Sequence, residues 1–386
     1  MRWFVFGIFL LSSVLNFLDR QVLAALAPQI MQEFNLSKGQ YGDLISVFSL
    51  TYAVAAPVMG LLIDRAGLNL ASTALVGLWS LAGIATGMAR GFPSLLGARA
   101  ALGLAESGSV PSVGKANVLL LAPREHSIGT ALNQAGLTLG AILAPLAGQW
   151  IATLYGWRAA FLVTGALGFL WIPLWLIVAR RHVPAVKPAR SVTTSAVLRD
   201  RRFWLLLVAN MAIMTIYSLW VNWTTVYLVS QHGLTQEAAN HRFAWIPQIF
   251  GTLGGLFGGW LVLRGSGTDV VSARLRASLV GAILALVTGL IPYASNPDWA
   301  TAGICASFFA VLIMSVNVYA LPLDYFGAGP AAFAVAGLTG SYGVVQVFFS
   351  SLAGRVADHA GFGPVLLAVA PLPLIGWLLL WISAKR

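Results

Sequence analysis

Charge is scarce in this chain. Only 9% of its 386 residues are Asp, Glu, Lys or Arg and 58% are hydrophobic, whereas soluble domains carry about 25% charged residues. That balance excludes an ordinary soluble enzyme or binding module and marks a polytopic membrane protein. Acidic residues are the rarest class, 12 against 23 Lys and Arg, giving a formal charge of +11. In a soluble protein such an excess suggests nucleic acid, but here the placement of the charges along the chain reads as membrane topology, and no nucleic-acid partner is expected. A single cysteine, Cys305, allows no internal disulfide, and no Cys/His cluster has metal-ligand spacing. Neither a metal nor another cofactor is therefore expected. The five histidines, at 126, 182, 232, 241 and 359, fall near loops and are poor candidates for a central proton relay.

What the chain has is long apolar runs. Segments at about 3–30, 39–63, 69–90, 94–121, 126–154 and 158–179 precede a basic loop, and six more follow at about 203–230, 236–263, 273–294, 298–322, 330–356 and 362–383. Each is long enough to span a bilayer as a helix. The fold expected is an all-α membrane protein, twelve transmembrane helices in two pseudo-symmetric six-helix bundles at 1–180 and 203–386 joined by a cytoplasmic basic linker at 181–202. Arg2, the following apolar run and Ala25-Leu26-Ala27 imitate a secretory signal. Asp19 and Arg20 interrupt that run and Pro28 follows the would-be cleavage site, so the first helix is expected to stay. With the N-terminus inside, the inward ends and loops hold fifteen Lys and Arg and the outward ones only Lys38, Arg90, Arg158, Arg242 and Arg355. This bias predicts both termini cytoplasmic, in a multi-pass protein of a bacterial inner membrane. The linker's basic residues also suit contact with anionic lipids.

A weak internal repeat supports duplication. Gly60 and Arg65 recur as Gly259 and Arg264, and Leu146-Ala147-Gly148 recurs as Leu352-Ala353-Gly354.

Ionisable groups inside the spans are Asp19, Arg20, Arg99, Glu106 and Lys115, all in the first half. An ionised side chain in hydrocarbon costs about 2.5–3.5 kcal/mol on the mildest scale, so such groups face a polar cavity or one another and usually carry function. Arg99 and Glu106 are seven residues apart, on one helix face and roughly 10 Å apart along the axis. Asn16 and Arg20 share a face of the first helix. The bland alternative for each is an ion pair that fixes the first and fourth helices together. The second half offers neutral groups instead, among them Asn210, Tyr217, Asn317, Tyr319 and Gln346. Charge on one side and amides and hydroxyls on the other suit an acid bearing hydroxyls, although each neutral group by itself more often makes a helix-packing hydrogen bond. The glycines at 251, 254, 255, 258 and 259 lack a following Lys-Ser or Lys-Thr. They read as helix packing, not as a nucleotide loop, so no nucleotide site is expected.

Gly60-Leu-Leu-Ile-Asp64-Arg65-Ala-Gly67 resembles the signature loop of the major facilitator superfamily. The resemblance implies that Gly60, Asp64, Arg65 and Gly67 form a gating loop, with Gly60 permitting close helix approach and Gly67 a positive φ. Leu68, Asn69 and Leu70 stand where further basic residues are common. Asn16-Phe-Leu-Asp19-Arg20, Tyr52, Arg99 with Glu106 followed by Val110-Pro111-Ser112, and Gly156-Trp157-Arg158 with Phe161 resemble the anion:cation symporter branch, which includes galactonate and hexuronate transporters. In that branch the corresponding bases serve substrate binding or coupling, and the acids are linked to proton coupling. This implies Arg20 and Arg99 in substrate binding, with Tyr52 a further contact, and Asp19 and Glu106 in proton coupling. Asn317 and Gln346 are added from the neutral groups of the second half. Leu137 stands where some sugar-acid carriers have an amide.

The expected function is transport and not enzymatic catalysis: proton-coupled symport of a small organic anion, a sugar acid or related carboxylate, by alternating access, in a monomer. An organophosphate:phosphate exchanger also suits two arginines, but exchange gives buried acids no task. A polytopic membrane enzyme would need a catalytic constellation that the sequence does not display.

Overall fold

The computed structural model describes residues 1–122, 125–182, 195–265 and 269–385. Most of the linker expected at 181–202 and the side chain of Asp64 lie outside the described residues. The described elements are helices and turns without strands. By contacts the chain forms two units, one of Met1–Leu36, Asp43–Ala189 and Thr235–Trp245, the other of Ser37–Gly42, Arg190–Leu234 and Ile246–Arg386.

The first half of the chain begins with α1 (Arg2–Phe34) and α2 (Lys38–Ala66), whose opening residues up to Gly42 belong to the second unit, followed by α3 (Leu68–Gly87), α4 (Phe92–Glu106), α5 (Ser109–Leu120), α6 (His126–Leu143), α7 (Gln149–Tyr155) and α8 (Trp157–His182). The short α9 (Ser195–Arg199) opens the second half, ahead of α10 (Arg201–His232), α11 (Gln236–Ala239), α12 (Ile246–Gly265) and α13 (Val270–Leu284). The chain closes with α14 (Pro297–Phe326), α15 (Ala328–Ala360), α16 (Phe362–Val369) and α17 (Leu372–Ala384). Among the described residues eleven helical stretches are long and apolar enough to cross a membrane. The twelfth is the expected fourth span, divided between α4 and α5.

Several interruptions fall at a proline, which cannot donate to the carbonyl four residues earlier, although Pro28, Pro57, Pro173 and Pro322 lie inside continuous helices. Pro111 leaves the Ser107 carbonyl without that donor, at the break between α4 and α5. Pro145 lies within the wide turn Ala144–Gly148 that separates α6 from α7. Pro247 follows the similar turn Asn240–Ala244 between α11 and α12.

Small residues decide which helices touch. A Cβ on Gly103 of α4 would stand 2.2 Å from the Phe48 carbonyl oxygen and 2.3 Å from Thr51 Oγ1, so α2 lies directly on this glycine. On α6, a Cβ at Gly140 would meet the Val14 carbonyl oxygen of α1 at 2.5 Å. In the second unit Gly254 and Gly258 approach the carbonyls of Phe309 and Ile313 on α14. The glycine-rich run is thus the helix-packing surface that its composition predicts.

The repeated Leu-Ala-Gly marks corresponding docking positions. Gly354 of α15 lies against the Lys38 carbonyl, while Asp358 accepts from the backbone N–H groups of Lys38 and Gly39, both at 2.8 Å, and so caps α2. After Gly148 comes Gln149, whose Oε1 accepts from Gln236 Nε2 at 2.9 Å and Asn240 Nδ2 at 2.8 Å. Each copy therefore receives the opening turns of a neighbouring helix.

Candidate functional site

Burial of charge in the first unit is concentrated where α1, α2, α4 and α8 meet. Glu106, at the last residue of α4, is fully buried, and Asp19 and Arg99 are each 2% exposed. The Arg20 side chain retains 24% of its surface. Its Nε and Nη2 both donate to Glu106 Oε2, at 3.1 and 2.8 Å. The guanidinium is framed by aromatic faces, its central carbon 4.8 Å from the Phe48 ring centre, 5.3 Å from Tyr52 and 5.5 Å from Phe17. Cation–π contacts of this kind contribute about 0.5–2 kcal/mol each and offset part of the loss of water around the charge.

The pairing differs from simple sequence adjacency. Asp19 and Arg20, neighbours in sequence, diverge because successive residues on a helix point about 100° apart. Arg20 meets Glu106 on α4, whereas the charged and polar groups acting on Asp19 are Thr164, Glu106 and Arg99. Neither Asp19 oxygen finds a hydrogen-bond donor with good geometry among the described residues. Arg99 lies inside the unit, its guanidinium carbon 5.9 Å from the centre of the Phe161 ring. Asn16, one turn before Arg20, stands beside Glu106. Two acids and two bases thus form one cluster, neutral overall when all four are ionised and carrying a single positive charge after one proton is added.

Lys115 of α5 donates through Nζ to the Ile63 carbonyl at 2.8 Å and ties α5 to the end of α2. Gly67 has φ of +81°, as the tight turn before α3 requires. Arg65 is exposed. Gly60 departs from expectation: nothing described lies within 4 Å of a Cβ built there, so the close helix approach predicted at this glycine is not made. That role falls instead to Gly103 and Gly108, the latter with Leu75 Cδ1 2.3 Å from its would-be Cβ.

The neutral residues of the second half are engaged within their own unit. Asn317 is buried and donates to the Ile313 carbonyl one turn back at 2.8 Å. Gln346 donates to the Tyr342 hydroxyl. Asn210 joins α10 to α15 through the Leu338 carbonyl and Ser341 Oγ, both at 2.9 Å.

Other residues emerge only from the coordinates. Glu33 at the end of α1 accepts from Trp157 Nε1 and Arg158 Nη1, each at 2.5 Å, which gives the Gly156-Trp157-Arg158 motif a structural task. Phe48 and Thr164 likewise join the charge cluster although nothing in their local sequence announces it.

Comparison with known proteins agrees with this architecture. The family model described as Major Facilitator Superfamily matches residues 9–339. The chain is 30% identical over 358 residues to the hexuronate transporter of Escherichia coli K12, covering 86% of this chain and 82% of that protein. It is 27% identical over 331 residues to the galacturonate transporter of Dickeya chrysanthemi, covering 80% and 95%. Among solved structures, a bacterial homolog of the human lysosomal transporter Spinster superposes with a TM-score of 0.85 over 100% of this chain and 97% of that one, at 17% identity. That likeness concerns the fold. With its membrane-length helices and a family match over most of its length, the chain belongs to the Major Facilitator Superfamily and is a transporter, not an enzyme.

Proposed function

We propose that the protein is a proton-coupled symporter of a hexuronate-type sugar acid, working by alternating access in a bacterial inner membrane with both termini cytoplasmic. The observation that carries this reading is the Arg20–Glu106 pair, in which a partly exposed guanidinium is held by a fully buried carboxylate. An ionised Glu106 occupies the Arg20 donors. A proton on Glu106 removes the opposing charge and leaves the cluster one unit positive, and the substrate carboxylate then takes the place of Oε2 on the Arg20 fork. Departure of the proton restores the internal pair and expels the anion. Tyr52, against the same guanidinium, is proposed to pack on the apolar face of the sugar ring. Asp19, within electrostatic reach of Glu106 and Arg99, is the second proposed proton carrier, and Arg99 steadies both acids from inside the bundle.

The relatives named for hexuronate and galacturonate support the cargo class. The test is uptake of radiolabelled galacturonate by proteoliposomes. An inward proton gradient should raise accumulation, and collapse of the gradient by a protonophore should abolish it. Accumulation indifferent to the gradient rejects proton symport, and absence of galacturonate counterflow rejects the cargo.

A further inference from the structure

Arg20 has two kinds of partner, and they differ in what they leave for a substrate. Glu106 Oε2 takes two of its nitrogens, at 3.1 and 2.8 Å. Three aromatic rings stand against the same guanidinium, Phe48 nearest at 4.8 Å from ring centre to central carbon, then Tyr52 at 5.3 Å and Phe17 at 5.5 Å. A carboxylate cancels the positive charge and occupies N–H groups that would grip an anion, whereas a neutral ring attracts the cation through its negative face and cancels none of its charge. The charged groups around Glu106 are Arg20, Arg99 and Asp19. A proton on Glu106 removes the first kind of partner and leaves the second untouched, because a phenylalanine ring does not titrate.

Of the three rings, Phe48 is the one held most firmly. It is 6% exposed, while Phe17 and Tyr52 are half-buried. Its carbonyl oxygen accepts from Thr51 Oγ1 at 3.0 Å and lies against Gly103 so closely that a Cβ there would not fit. Gly103 precedes Glu106 by three residues on α4, close to one helical turn. A single contact between α2 and α4 therefore fixes both the ring that faces Arg20 and the carboxylate that pairs with it. Tyr52 braces the ring along α2, with centres 6.0 Å apart and planes inclined by 36°. Burial also strengthens the attraction, since little water competes for the cation.

We propose that Phe48 is a positioning residue for substrate binding: its ring keeps the Arg20 guanidinium in place, still charged, between the neutralisation of Glu106 and the arrival of the substrate carboxylate. This inference rests on the symport reading above and adds to it the group that keeps the anion-binding fork assembled when its internal partner is neutral. Without the ring, an Arg20 released by Glu106 regains the rotamer freedom of a long side chain, and each binding event has to order it again. The loss of affinity is then greater where Glu106 is neutral than where it is ionised.

The test replaces Phe48 by leucine, which fills the core without an aromatic face, and by fluorinated phenylalanines, which keep the ring and drain negative charge from its face. Each full-length protein is reconstituted and assayed for galacturonate counterflow, giving a half-saturation concentration and a maximal rate, with melting temperature as a control. Phe48→Leu is expected to raise half-saturation by about tenfold, within the strength of a desolvated cation–π contact, with the maximal rate little changed. Added fluorine should raise it step by step, and Phe48→Leu should cost more in a Glu106→Gln background than in the wild type. A merely structural Phe48 gives the opposite pattern, because fewer folded transporters lower the maximal rate and leave half-saturation where it was; that result overturns the proposal. So does half-saturation indifferent to fluorination, which would make bulk and not the ring face responsible, and so does an equal or smaller loss in the Gln background. If the wild type shows no galacturonate counterflow, the cargo reading falls and this one with it. Wild-type counterflow with unaltered half-saturation in Phe48→Leu rejects the role of Phe48 alone.

Discussion

Arg20 binds a single oxygen of Glu106 with two of its nitrogens, and the other carboxylate oxygen, Oε1, has no hydrogen-bond partner among the described residues. The geometry uses one oxygen to hold the guanidinium and leaves the second beside Asn16. That arrangement leaves Oε1, with Asn16 alongside, as the oxygen on which a proton can be placed while Arg20 keeps its hold on Oε2. Removal of either partner from a buried pair leaves an uncompensated charge, at a cost of about 3–5 kcal/mol, so conservative replacements separate function from collapse.

Arg20→Lys keeps the positive charge and loses the planar fork that reaches Oε2 twice. Galacturonate binding to the purified protein is expected to weaken at least about tenfold, equivalent to about 1.4 kcal/mol, as read by calorimetric titration. Wild-type affinity in this variant would assign Arg20 a structural task only.

Glu106→Gln imitates the protonated acid. Galacturonate should still bind and counterflow should survive, while accumulation driven by a proton gradient fails. Both activities are measured in the same liposomes, with melting temperature as a control. A Gln variant that still accumulates substrate moves the coupling role to Asp19.

Gly103→Ala places a methyl where the Phe48 carbonyl stands 2.2 Å away. Overpacking of this kind costs about 1–3 kcal/mol, and it displaces Phe48 from the face of Arg20. Both melting temperature and galacturonate affinity are expected to fall. Gly97→Ala on the same helix meets nothing within 4 Å and should leave the melting temperature unchanged or higher, as Ala favours helix over Gly by about 1 kcal/mol. Equal effects at the two positions would contradict the packing argument.

Asp358→Ala removes the carboxylate that accepts from the Lys38 and Gly39 N–H groups. Loss of a helix cap costs about 0.5–2 kcal/mol. The melting temperature in detergent should drop accordingly, and Asp358→Asn, which keeps one acceptor oxygen, should fall between Ala and wild type.

The sequence by itself determined the membrane class, the twelve spans, the family loop and the identity of the buried ionisable residues, because apolar length and the cost of buried charge are properties of composition and order along the chain. It also marked Gly67, where a tight turn needs a positive φ, and the glycine-rich run at 251–259, where small side chains let helices approach. Partner choice was decided by the tertiary structure. Whether Arg20 meets its neighbour Asp19 or the distant Glu106 depends on the rotation of α1 against α4, and that rotation is set by contacts such as Gly103 on Phe48 and Gly140 on Val14, between residues far apart in sequence. The same dependence leaves a Cβ at Gly60 with no described neighbour within 4 Å, although its place at a helix end suited a close approach. A glycine on an apolar helix reads alike whether a neighbouring backbone lies on it, as at Gly103, or nothing described does, as at Gly60, and only the packing of the helices distinguishes them.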